Sequence, residues 1–133
     1  MENSMGRIIL FAALAIFALP VFAATQSYAD AKALADRDEA SVSKAQSAAL
    51  LASQKAAIER IVTACAGGMG PAGMPPFVVV VELDAAGKVA ATWREGSSDF
   101  AVCFQKQLGT LSLFTPPRAP FYTSFEMSMS PGD

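Results

Sequence analysis

Apolar and polar positions follow different periods along the chain, and these periods divide it into three segments. Residues 1–24 combine a short polar start with a continuous apolar run from Ile8 to Leu19. Residues 25–48 are polar and alanine-rich, which predicts a solvated helix or a partly disordered extension with little to pack. Residues 49–130 carry the periodic patterns of a folded domain.

The first part of this domain has helical periodicity. Gly67 supplies a stop, because glycine accepts the left-handed conformation that ends many helices. We therefore expect a docked helix whose last turn carries the first cysteine. Its apolar stripe consists of Leu51, Ile58, Ile61, Val62 and Cys65.

Two β-branched runs then predict a hairpin. Phe77–Asp84 is apolar on both alternating faces, which is typical of a central strand. Gly87 lies in the short connection that follows it, and glycine suits a turn that needs a positive φ. Val89–Arg94 is the return strand.

A second helix and a final strand complete the domain. Ser97 or Ser98 can cap the helix, and Asp99 suits the positive end of its dipole. Tyr122–Met129 alternates strictly, which predicts a half-buried strand with one wet face. The apolar face of the second helix consists of Phe100, Cys103, Phe104 and Leu108.

The order helix, strand, strand, helix, strand favours one simple topology. The last strand runs parallel to the return strand, so it must pair with the other side of the central strand. We predict an α+β fold with a three-stranded antiparallel sheet in the order return, central, last. Two helices cover one face of this sheet, a helical N-terminal extension precedes the domain, and the last strand is an open edge.

The apolar run near the start is typical of a secretory signal peptide. A single positive charge at Arg7 precedes it, and small residues offer cleavage after Ala23 or after Ala29. The alternative is an uncleaved inner-membrane anchor, although Ile8 to Ala24 is at the short limit for a bilayer of about 30 Å. We expect export to the periplasm.

Composition limits the chemistry of the exported part. Cys65 and Cys103 both lie in the domain, and in an exported protein they most simply form one disulfide, the alternative being two buried thiols. The chain has no histidine and two thiolates do not complete a zinc shell, so we expect no metal and no other cofactor. The net charge of −2, without a basic run, gives no indication of a nucleic-acid partner.

Catalytic chemistry is difficult to assemble from these residues. A serine nucleophile at Ser97 or Ser98 would have no histidine as its base, and helix capping explains both serines. Glu82 and Asp84 share a face at a strand end and could form an acid pair, but a solvated hairpin explains them as well. We therefore assign no catalytic residues.

The order and spacing of these segments resemble the C-terminal domain of the TonB/TolA family. The segment Glu95–Cys103 (EGSSDFAVC) is most similar to TolA, where a helix cysteine at this position forms a disulfide. In TolA the partner cysteine lies on the first strand, whereas Cys65 lies at the end of a helix. The other matching segments are Leu83–Val89 (LDAAGKV), Phe114–Pro117 (FTPP) and the final alternating strand.

The resemblance implies a domain that binds other proteins. Family members bind partners by adding an extended segment to an open strand edge. Trp93 and Arg94 are a second candidate contact, although a tryptophan in such a position more often belongs to the core. The edge could instead be covered by Glu126, by the N-terminal helix or by a second copy. The candidate open edge runs from Phe121 to Ser128, and the residues predicted to bind a partner there are Phe121, Tyr122, Thr123, Ser124, Phe125 and Glu126.

The leading hypothesis is an exported, non-catalytic interaction domain whose partner is another envelope protein or its extended peptide segment. Membrane contact is expected only through an uncleaved N-terminal segment, and a homodimer is a further alternative. If residues 8–24 are retained, the chain would be a small inner-membrane-anchored energy transducer. A periplasmic enzyme inhibitor or small enzyme on the same scaffold is the third hypothesis.

Overall fold

The computed structural model describes residues 25–68 and 74–129, so the predicted signal segment lies outside the described residues. Three α-helices, one 3-10 turn and three strands follow one another within these ranges. They are α1 (Tyr28–Ser41), α2 (Lys44–Cys65), the 3-10 turn (Ala66–Gly68), β1 (Met74–Leu83), β2 (Val89–Glu95), α3 (Asp99–Leu108) and β3 (Phe121–Met129).

The three strands form an antiparallel sheet in the order β2, β1, β3. The central position of β1 is visible at Val79, which pairs with Arg94 in β2 and with Phe125 in β3. β1 can be apolar on both faces because both faces of the sheet are covered. The predicted α+β fold and strand order are confirmed.

The main core lies between the sheet and the helices α2 and α3. The ring of Phe104 in α3 lies 5.3 Å from that of Phe77 and 5.8 Å from that of Phe125, both in edge-on arrangements. A disulfide between Cys65 and Cys103 joins the end of α2 to α3. The predicted disulfide and the two helices on one face are therefore confirmed.

Each helix begins at a serine whose side chain accepts a hydrogen bond from the backbone of the first turn. Ser27 caps α1, Ser43 caps α2 and Ser98 caps α3. At α2 the cap is reciprocal, because the Gln46 side chain accepts a hydrogen bond from the backbone N–H of Ser43. Of the two serines predicted to cap the second helix of the domain, the structure selects Ser98.

The helix α1 packs on the face of the sheet opposite α2 and α3, which differs from the expected solvated or partly disordered segment. Ala31 and Ala35 are fully buried against Val80 and Tyr122. Alanine side chains let a helix approach a sheet closely, but they give only a weak apolar pattern in the sequence. The wet face predicted for the last strand is consequently wrong at Tyr122, which is buried.

The hairpin between β1 and β2 is held by its own polar groups. Oδ1 of Asp84 accepts hydrogen bonds from the backbone N–H groups of Ala86 and Lys88, each at 2.9 Å. Gly87 has φ +83°, and a Cβ there would lie 2.3 Å from the carbonyl oxygen of Phe114. Glycine is therefore required by backbone conformation and by space.

Candidate partner-binding edge

The outer edge of β3 is the surface on which the predicted site depends. Among the described residues β3 pairs only with β1, so alternate residues turn their backbone groups away from the sheet. The N–H groups of Tyr122 and Ser124 bind side chains outside the sheet. The same alternation places the backbone groups of Glu126 and Ser128 on the outer edge.

The half of this edge formed by Tyr122 and Ser124, hereafter the capped half, is occupied by carboxylates of α1. Oδ2 of Asp38 accepts a hydrogen bond from the Tyr122 N–H at 3.0 Å. Oε1 of Glu39 accepts from the Ser124 N–H at 2.8 Å and from the Thr123 hydroxyl at 2.6 Å. Two consecutive side chains of α1 thus take positions that the carbonyl groups of an added strand would use.

The helix α2 completes the capped half. Nε2 of Gln54 donates to the carbonyl oxygen of Ser124 at 3.2 Å and to the hydroxyl of Thr123 at 2.9 Å. Ser124 therefore has both outward backbone groups satisfied by side chains. An added strand cannot pair with this half unless these side chains move away.

Asp38 is a fully buried carboxylate with several donors around it. Its Oδ1 lies 2.9 Å from Nη2 of Arg118 and 3.1 Å from Nη2 of Arg37. Burial acts to raise the pKa of Asp38, but the hydrogen bonds from the Tyr122 N–H and the two arginines outweigh it and lower this pKa below its ordinary value. The carboxylate is therefore charged at neutral pH.

The other half of the edge, formed by Glu126 and Ser128, has no such cover and is hereafter the open half. Within residues 25–68 and 74–129, no hydrogen bond outside the β1 pairing uses the backbone groups of either residue. The Glu126 side chain is 63% exposed, and its Oε1 lies 3.0 Å from Nζ of Lys32. The open half thus presents unpaired backbone groups beside an exposed acidic side chain.

A groove of about 250 Å³ runs beside this edge, between the strand and the two N-terminal helices. Leu51, which was predicted to belong to the docked apolar stripe of α2, is instead 61% exposed on the groove wall, and its neighbour Leu50 is buried in the core. The groove offers an apolar contact next to the backbone groups of β3. It is lined by Glu39, Ser47, Leu50, Leu51, Gln54, Ser124 and Glu126.

The six residues predicted to bind a partner do not all lie on the accessible edge. Phe121, Thr123 and Phe125 are buried on the inner side of the sheet. Of the other three predicted residues, Tyr122 lies under α1, Ser124 belongs to the capped half, and only Glu126 is exposed. The accessible edge continues to Ser128, where the predicted open edge ends, although Ser128 is not among the six predicted contact residues.

The second predicted contact is divided between the two faces of the sheet. Nε1 of Trp93 donates to the backbone carbonyl of Gln26 at 2.8 Å, and its ring centroid lies 5.9 Å from that of Tyr122. On the opposite face, Nε of Arg94 donates to Oε1 of Gln105 at 2.9 Å. The structure therefore does not bring Trp93 and Arg94 together, and the half-buried Trp93 belongs to the packing of the N-terminal segment.

The acidic pair at the end of β1 is also separated by its contacts. Oε2 of Glu82 accepts a hydrogen bond from the Tyr122 hydroxyl at 3.1 Å, whereas Asp84 binds the backbone of its own turn. Burial, followed by the Glu82 carboxylate, raises the pKa of Tyr122, so this hydroxyl keeps its proton and donates it. The described residues contain no group of three or more acidic or cysteine side chains arranged to hold a metal ion.

Comparison of the chain with protein-family models, with curated proteins and with solved structures gives no match. The TonB/TolA resemblance therefore remains a hypothesis based on the sequence motifs and their order. In the described part of the chain, every helix is too short or too polar to cross a bilayer.

Proposed function

We propose that this chain is an exported, non-catalytic interaction domain of the cell envelope that binds an extended segment of a partner protein along the open half of the β3 edge. One observation carries this proposal: the outward backbone groups of Glu126 and Ser128 lack partners among the described residues, beside an exposed Leu51. Extended peptides bind such edges through main-chain hydrogen bonds.

Charge around the open half supports a basic partner segment. Nζ of Lys32 contacts both Asp36, at 2.5 Å, and Glu126, at 3.0 Å. Two carboxylates therefore share one ammonium group, and Glu39 on the groove wall adds a further negative charge nearby, so the local charge is negative. A lysine or arginine opposite Glu126 would complement this charge.

The proposed compartment is supported by the disulfide between Cys65 and Cys103, since such bonds persist in oxidising environments. Of the two predicted cleavage sites, the contacts of the N-terminal segment favour the one after Ala23. Cleavage after Ala29 would remove Ser27, which caps α1, together with the Gln26 carbonyl that binds Trp93. The proposed mature chain therefore begins at residue 24.

Site-specific photo-crosslinking in the native host tests this function. p-Benzoylphenylalanine in place of Ser128 lies on the open half, and two substitutions at the neighbouring edge residue separate backbone from side-chain effects. Glu126→Pro removes an outward N–H that makes no bond within the sheet, and proline is tolerated at such edge positions. Glu126→Ala removes the same carboxylate but keeps the N–H.

We expect a crosslink to an extended, basic segment of an envelope protein, identified by mass spectrometry of the crosslinked peptides. The crosslink should be lost with Glu126→Pro and retained with Glu126→Ala, because only proline removes the main-chain donor. A crosslink that survives Glu126→Pro would contradict strand addition. A crosslink found solely to a second copy of this chain would replace the proposed partner by self-association.

A further inference from the structure

The helix α1 is attached to the sheet by polar groups and by a small apolar cluster, in which Tyr28 and Leu34 are partly buried beside Val80 and Tyr122. Its fully buried apolar side chains are the small ones of Ala31 and Ala35. The remaining attachment uses charged groups, among them Lys32 with Glu126, and the Asp38 and Glu39 carboxylates with backbone N–H groups of β3. Removal of this helix would expose Val80 and Tyr122, but this cluster is much smaller than the main core, so less apolar area opposes removal of α1 than removal of α2, because hydrophobic stabilisation scales with buried apolar surface.

The helix α2 is attached differently. Leu50 and Ile61 are buried in the main core, and the disulfide from Cys65 to Cys103 ties the end of the helix to α3. A disulfide and large apolar side chains hold α2 to the domain whether or not α1 is in place. The helix α1 can therefore leave the sheet while α2 stays attached to the domain.

The connection between α1 and α2 permits such a difference. Val42 (φ −81°, ψ 153°) and Ser43 (φ −65°, ψ 164°) have extended backbones, so the helical structure is interrupted between α1 and α2. The capping interactions of Ser43 with Gln46 belong entirely to α2. If α1 moves away, α2 keeps its own N-terminal cap, and no helical hydrogen bond across the connection has to break.

From these contacts we infer that α1 is a detachable occupant of the capped half of the β3 edge, and that it competes there with the partner segment. This inference rests on the proposed function. The Asp38 and Glu39 carboxylates, at 3.0 Å and 2.8 Å from the N–H groups of Tyr122 and Ser124, stand in for the carbonyl acceptors of an added strand. Release of α1 frees the N–H groups of Tyr122 and Ser124 for an added strand, and pairing with the Ser124 carbonyl then requires only that the Gln54 side chain of α2 turn away.

Arg118 offers a way to test this inference without changing a residue of the outer edge or the groove; its contact with β3 is with the Phe121 ring, whose centroid lies 5.7 Å from the guanidinium carbon. It precedes β3 and donates to Asp38 Oδ1 at 2.9 Å and to Ser41 Oγ at 2.7 Å, so it links the body of the domain to α1. Arg37 also contacts Asp38, but it lies on α1 and moves with it. Arg118→Gln weakens the attachment, and Arg37→Gln is its matched control, because each removes one positive charge beside the same carboxylate.

Residue-resolved hydrogen exchange on the exported chain, with its disulfide intact, measures the release of α1 directly. We expect the amides of Tyr122 and Ser124 to exchange together with those of α1, at least tenfold faster than the amides of β1. Arg118→Gln should accelerate this group of amides about fivefold and leave β1 unchanged, as expected for the loss of one half-exposed ion pair. Arg37→Gln should accelerate it less than threefold.

Exchange of Tyr122 and Ser124 at the same rate as β1 would overturn the inference, because α1 would then leave only in global unfolding. Crosslinking from position 128 provides the second measurement. Its yield should rise severalfold in Arg118→Gln, and an unchanged yield, despite faster exchange, would show that the partner does not compete with α1. If Glu126→Pro leaves the crosslink unchanged while hydrogen exchange still shows local opening of α1, the proposed strand addition is wrong and only the release of α1 is supported.

Discussion

Replacement of Asp38 by alanine removes one acceptor from three donor groups at once. The Tyr122 N–H, Arg118 and Arg37 all bind this carboxylate, which has no exposed surface. The Tyr122 N–H is itself buried, so its acceptor cannot readily be replaced by water. Alanine introduces no new polar group and suits a helix.

These contacts determine how much Asp38→Ala lowers the free energy of unfolding. An unsatisfied buried N–H costs about 1–3 kcal/mol. The two arginines are 47% and 66% exposed, so each lost ion pair contributes at most about 1 kcal/mol. Higher helix propensity of alanine offsets about 0.6 kcal/mol. We expect Asp38→Ala to lower the free energy of unfolding by about 2–3 kcal/mol, which corresponds to a Tm lower by about 10–20 °C for a domain of this size.

Urea unfolding followed by fluorescence provides the assay, because Trp93 is the single tryptophan and lies beneath the N-terminal segment. Asp38→Asn is the control: its amide oxygen can still accept from Tyr122, so we expect a loss of only about 1 kcal/mol. A free energy of unfolding for Asp38→Ala within about 0.5 kcal/mol of the wild-type value would contradict this prediction. Equal destabilisation by Asp38→Asn and Asp38→Ala would contradict it as well.

The difference between the wild type and Asp38→Asn should also depend on pH. The pKa of Asp38 is lower in the folded chain than its ordinary value, so its charged form stabilises the fold above about pH 4. This contribution disappears as the pH falls through the folded pKa, whereas asparagine does not titrate. The difference in the free energy of unfolding should therefore be constant at pH 6–7 and shrink below about pH 4.

Three further predictions concern the disulfide, the hairpin glycine and the N-terminus of the mature chain. The double substitution Cys65→Ala/Cys103→Ala should lower the free energy of unfolding by roughly 4 kcal/mol, as expected for opening a loop with a sequence separation of 38, and equal urea midpoints would contradict it. Gly87→Ala should cost at least about 2 kcal/mol because of its positive φ and close backbone neighbour, while Gly67→Ala, with open space around it, should be nearly neutral in the same assay. The intact mass of the protein from envelope extract should correspond to a chain that starts at Ala24 and falls short of the reduced form by two hydrogens; a start at residue 30 would contradict the favoured cleavage site.

Much of the domain could be predicted because its signals are local. The valines of β1 are apolar on both faces, so the strand had to be central, and the remaining strands then had one simple arrangement. The cysteines lie on the apolar faces of two helices that cover the same side of the sheet, which makes their disulfide geometrically natural. Ser98 could be predicted as a cap because its hydrogen bond is to the nearby Ala101 N–H.

The attachment of α1 could not be predicted in this way. Ala31 and Ala35 are too small to give a clear apolar stripe, and the carboxylate of Asp38 is satisfied by a backbone N–H far away in sequence. A backbone group carries no signal in a sequence pattern, so an acidic residue in a polar segment indicates a solvated position. The whole of the last strand was predicted to be an open edge for the same reason, since the residues accessible to a partner depend on what α1 covers.

Crosslinking from position 128 in paired Glu126→Pro and Glu126→Ala variants tests the proposed strand addition most directly. Both variants lack the acidic side chain, and they differ in the outward backbone N–H of the open half. We expect the yield of the crosslink to the envelope partner to fall at least tenfold in the proline variant relative to the alanine variant. Equal yields in the two variants would contradict binding through the β3 edge.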